Sequence, residues 1–143
     1  MTATPDWLAA WVEQRIAAHP ESRPPLPGVE EPAAYLHGSI GYDTAITARG
    51  DVWLHEYDLV GPEAFRGEWH LAPVGSKDRT WILVVAARHH PELGALLPVR
   101  LADAPSCKRC LGTGYDHVHA ADGTTTFRLP MTCPECDGLG WRR

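Results

Sequence analysis

The chain has 143 residues, 44% hydrophobic and 22% charged, which suits one globular domain with a small appendage and excludes a disordered chain. Its formal net charge of -5 excludes generic attachment to a nucleic-acid backbone, which needs a basic face. The charge is uneven: residues 1–106 hold 8 basic and 14 acidic side chains (-6), while residues 107–143 hold 5 and 4 (+1).

The opening "MTATPDWLAAWVEQR" has neither a basic leader nor a long apolar run, so it does not read as a secretory signal. Thr4 is placed to cap a helix, with Pro5 at its first position and Asp6 near the positive end of the dipole. Leu8, Trp11, Val12 and Ile16 follow at helical spacing, and the helix is expected to end near Ala18 or His19. Residues 20–32 contain Pro20, Pro24, Pro25, Pro27 and Pro32, and are expected to form an extended linker.

Residues 33–106 read as a small α+β domain with a mainly antiparallel sheet. "YDTAIT" and "VWLHEYDL" flank Ala48-Arg49-Gly50-Asp51, a hairpin turn. In that second stretch His55, Glu56 and Asp58 mix with Trp53 and Tyr57, as the two faces of a strand would. "EWHLAPV" and "TWILVVAA" flank residues 75–79, which predicts a second hairpin, with Trp81–Ala87 as a strand buried on both faces. "PELGALL" at Pro91–Leu97 predicts a short helix stopped by Pro98. The apolar run Trp81–Ala87 is too short to span a bilayer, so no membrane partner is expected. The chain reads as soluble and cytoplasmic.

From Cys107 onward the composition turns to cysteine, glycine and polar residues. "CKRCLGTG" and "CPECDGLG" repeat one pattern, C-x-x-C-x-G-x-G, and use all four cysteines of the chain. In a reducing compartment such pairs favour a metal over disulfides. Between them Asp122-Gly123 signals a turn joining two short strands, so the hairpin brings the two cysteine pairs together. Residues 107–143 are therefore expected to form a zinc-binding β-hairpin, with Cys107, Cys110, Cys133 and Cys136 holding one structural Zn²⁺. The ion would replace an apolar core that so short a segment cannot build. Four thiolates around one Zn²⁺ would bring this part to about -1, too weak a field to favour nucleic acid.

The repeat resembles the zinc-finger motif of the DnaJ (Hsp40) chaperone family, carried by the four cysteines together with Gly112, Gly114, Gly138 and Gly140. It covers about a quarter of the chain. In that family four repeats bind two zinc ions, so two repeats here imply one. A DnaJ-type co-chaperone also has a J-domain with His-Pro-Asp between two helices, whereas His19-Pro20-Glu21 and His90-Pro91-Glu92 end in glutamate, the former opening the proline-rich linker and the latter following the strand expected at Trp81–Ala87. Residues 1–106 carry no such resemblance.

Three other readings of the cysteines stand beside zinc structure: rubredoxin-like iron, thiol–disulfide chemistry aided by Lys108 and Arg109, and catalytic zinc. The last needs an open position, which four cysteines close unless His117 or His119 replaces one. Elsewhere, "HGSIGYD" places Ser39 near His37 and Asp43 but lacks the G-x-S-x-G elbow, and reads as a glycine turn into a strand. His89-His90 reads as a polar exit from the apolar run.

With no compelling catalytic set, the leading reading is a non-enzymatic protein-binding, adaptor or chaperone-like factor. One alternative is an enzyme using His37, Ser39, Asp43, His55 or His89. Another is a nucleic-acid binder using Lys108, Arg109, Arg128, Arg142 and Arg143 on the zinc hairpin.

Overall fold

The computed structural model describes residues 4–39, 41–57, 66–119 and 126–143. The architecture is α+β. An N-terminal helix, α1 (Asp6–Ala18), precedes four strands: β1 (Ala33–Ser39), β2 (Tyr42–Thr47), β3 (Val52–Tyr57) and β4 (Arg66–Ala72). These form an antiparallel sheet in the order β1-β2-β3-β4. Helix α2 (Lys77–His89), a 3-10 helix (Pro91–Leu96) and a two-stranded antiparallel sheet, β5 (Tyr115–His119) and β6 (Thr126–Thr132), complete the chain. The chain divides into two compact units, Met1–Val74 and Gly75–Arg143.

In the first unit the helix starts one residue later than its sequence suggests. Pro5 is the extended N-cap residue, and Thr4 makes no cap. Its hydroxyl instead donates to the Arg49 carbonyl at 2.8 Å, tying the chain start to the β2–β3 turn. Leu8, Trp11 and Val12 are buried, as the helical spacing requires. Residues 20–32 form neither helix nor strand.

Register across the sheet places Ala34, Ile46, Val52 and Ala72 side by side, with Thr44 opposite Leu54. Directly opposed residues share a face, and all six are buried, so this face supplies the core. The other face carries Tyr35, Trp53 and Leu71 in one row and Asp43, His55 and Trp69 in the next.

The β2–β3 hairpin forms as its turn residues predict. Gly50 takes φ +92°, and its N–H donates to the Thr47 carbonyl. Of the strand residues read into this hairpin, Asp58 and Leu59 lie outside the described residues. "HGSIGYD" spans the β1–β2 connection, with Ile40 likewise outside them.

The second predicted hairpin does not form. Trp81–Ala87 is not a strand but the middle of α2, and β4 pairs with β3 instead. Ser76 explains the switch: its backbone is extended and its hydroxyl accepts the Arg79 N–H at 3.1 Å, which is an N-cap. Asp78 then sits in the first turn and Arg88 and His89 in the last, matching the helix dipole at both ends. Thr80, Ile82, Leu83, Val84 and Ala86 are buried. This forms a broad stripe around the helix, which explains why the run reads as continuously apolar. The short helix after Pro91 forms in the tighter 3-10 geometry, with Leu93 buried.

Candidate metal centre

The second unit brings the two cysteine motifs together through β5 and β6, which pair Tyr115 with Thr132 and His119 with Thr126. The Asp122-Gly123 turn expected between them lies outside the described residues. Each motif is a tight knuckle. The Gly112 N–H donates to the Cys107 carbonyl at 3.2 Å and Thr113 to Cys110 at 3.1 Å. In the second motif Gly138 donates to Cys133 and Leu139 to Cys136, both at 3.1 Å. The knuckles then clasp each other reciprocally: Cys107 N–H donates to the Gly140 carbonyl and Cys133 N–H to the Gly114 carbonyl, both at 3.0 Å.

This clasp explains the repeated glycines. Gly114 and Gly140 have φ of +79° and +85°, and each passes against the opposite knuckle's backbone. A Cβ on Gly140 would stand 2.6 Å from the Gly112 carbonyl oxygen, and one on Gly114 would strike the Gly138 carbonyl.

The four sulfurs converge. Cys107 and Cys133 Sγ are 3.9 Å apart, Cys110 and Cys136 Sγ are 3.7 Å apart, and all four lie within 4.8 Å of one another. A tetrahedral ion with bonds of about 2.3 Å would hold its sulfurs about 3.8 Å apart. The four cysteines are at most 5% exposed, so the cluster could hold a metal ion and, if it does, encloses it.

Backbone donors face the sulfurs in matched fashion: Gly114 N–H donates to Cys110 Sγ and Gly140 N–H to Cys136 Sγ, both at 3.3 Å. Burial pushes the Cys136 thiol up to about 12 and raises that of Cys133 as well. Burial also acts against ionisation of Cys110, but the Gly114 N–H, the neighbouring thiols and the Gly112 N–H outweigh it, so that thiol lies below its ordinary value. Cys133 and Cys136 therefore favour the protonated thiol without a cation, and a bound metal ion would supply the missing charge.

Sequence reasoning missed the contribution of α2. Lys77 Nζ pairs with Asp137 at 3.0 Å and donates to the Pro134 carbonyl at 3.1 Å. The Arg88 guanidinium lies 4.0 Å from the Tyr115 ring centroid. Val84 packs so closely on the second knuckle that a Cβ on Gly138 would meet its Cγ1 at 2.8 Å. Asp137 is buried and also accepts from Arg143 at 3.3 Å. The only available signal was the cap at Ser76, which would have turned the apolar run into a helix.

The basic residues of the module are largely committed. Arg109 makes a two-pronged pair with Asp116 at 3.1 and 3.2 Å, Arg142 pairs with Glu135, and Arg143 with Asp137. The backbones of His117 and Arg128 are partners in the β5–β6 register.

Of the histidine, serine and aspartate candidates upstream, the structure brings Asp43 and His55 together, with Oδ2 3.6 Å from Nδ1. His55 also stacks on Trp69 at 5.1 Å and 20°. Ser39 is held through its backbone: it pairs with Tyr42, and its carbonyl accepts the Tyr57 hydroxyl at 3.0 Å. His37 engages Thr44 through its backbone, and His89 is the last residue of α2. No helix among the described residues is long and apolar enough to cross a membrane. Comparison with known proteins returns no matching family model, no matching curated protein and no matching solved structure.

Proposed function

We propose that Cys107, Cys110, Cys133 and Cys136 bind one structural Zn²⁺, and that the protein acts without catalysis as a protein-binding, adaptor or chaperone-like factor. The observation that carries the zinc reading is the sulfur spacing of 3.7 and 3.9 Å at four buried positions, which leaves no opening for a substrate water. The DnaJ-type likeness of the repeat supports the same ligand set.

Two features of the second unit favour a protein partner. Leu101, Leu111 and Met131 are 68%, 64% and 58% exposed. The φ of +57° at Leu111 matches the +56° of Asp137 at the same place in the second knuckle, so the knuckle backbone sets it. Meanwhile Arg109, Arg142 and Arg143 are neutralised by carboxylates, which weakens the case for phosphate contacts.

The reading predicts one zinc per chain by elemental analysis. It also predicts a specific partner, enriched by the native protein from its own cells and lost with Leu111→Glu plus Met131→Glu. Iron in place of zinc would overturn the metal assignment. Equal enrichment by both proteins, or none, would overturn the proposed surface.

A further inference from the structure

A cavity of about 450 Å³ lies in the first unit, where the last turn of α1 approaches β1 and β2. Its polar walls are Arg15, His19, Ser22, Tyr35 and Asp43, with Ile16 between them. Arg15 stands in the last turn of α1, and His19 is the residue that ends the helix. The Arg15 guanidinium lies 5.8 Å from the Trp11 ring centroid, and its Nε is buried with no hydrogen-bond partner among the described residues. A cation in the last turn complements the helix dipole from an exposed position, so the dipole does not explain a buried, unmet N–H. On the facing wall Asp43 is braced by His55, 3.6 Å away, and His55 is braced in turn by Trp69.

We propose that this cavity binds a small organic acid. The acid's carboxylate would be received by Arg15 with help from His19 and Tyr35, and an ammonium or hydroxyl group elsewhere in the molecule would be received by Asp43. The donors stand on the helix side and β1, and the fixed acceptor stands on β2, so a ligand with both groups satisfies both walls. Burial and the nearby Asp43 charge keep Tyr35 a neutral phenol, able to donate. A volume of this size admits small metabolites. The site is independent of the cysteine cluster.

The test is amide NMR titration of the full zinc-loaded chain with glycine, 4-aminobutyrate and malate, with butyrate and butylamine as one-group controls. At least one two-group probe is expected to shift the Arg15, Tyr35 and Asp43 resonances, and to bind more tightly than either control. Arg15→Met should weaken that binding about tenfold or more while leaving the unfolding temperature equal or higher, because it removes the unmet N–H. Asp43→Asn should lower affinity for the two-group probe without changing that for butyrate, which keeps the test decisive if Arg15→Met does not fold. No titrating resonances up to about 10 mM of any probe, or unchanged affinity in both variants, would overturn the proposal.

Discussion

At the residue scale the cysteine module is governed by backbone conformation as much as by sulfur. Gly112 and Gly140 both have positive φ, but an added Cβ would clash with opposing backbone only at Gly140, at 2.6 Å against 3.8 Å for Gly112. Gly112→Ala is therefore expected to cost about 1 kcal/mol from conformation alone, and Gly140→Ala at least about 2 kcal/mol because a carbonyl must also move. Denaturant unfolding of the metal-loaded protein checks the ranking. Equal costs would contradict the clasp. The thiols give a sign for pH dependence. Cys133 and Cys136 are raised, so at neutral pH the metal-free cluster holds protons that a metal must displace. Metal affinity should rise with pH, and binding near neutrality should release protons, measurable by calorimetry in buffers of different ionisation enthalpy. The convergence of the four cysteines was legible in the sequence because four cysteines and four glycines recur at fixed offsets. The roles of Asp116 and Asp137 were not, since each depends on a partner (Arg109, or Lys77 and Arg143) that spacing alone does not bring near.

At the element scale α1 and the β2–β3 hairpin were legible, because helical spacing and an Arg-Gly-Asp turn each encode their own structure locally. Helix α2 was not. Ile82, Val84 and Val85 are β-branched, and a seven-residue apolar run fits a buried strand as well as a buried helix. What decides is the Ser76 cap and the burial of the helix stripe. Ser76→Ala should therefore destabilise the second unit by about 1 kcal/mol. Because α2 supplies Lys77, Val84 and Arg88 to the cysteine module, the same change should also weaken metal retention against a chelator. Unaltered retention would mean that the helix and the knuckles fold separately.

At the scale of the whole molecule the two units reach stability by different means. The first has an apolar core built from Leu8, Val12, Ile46, Val52 and Leu54, all fully buried. Leu54→Ala should cost about 2–5 kcal/mol there and leave metal affinity unchanged. The second buries Ile82, Leu83 and Leu93 and adds to them a cluster of four buried cysteines, on which its two knuckles converge. The most direct test is hydrogen exchange across the chain before and after verified metal removal at neutral pH. The account predicts that protection collapses through residues 107–143 and falls in α2, while β1–β4 keep theirs. Unchanged protection in residues 107–143 after metal loss would contradict a metal-built module.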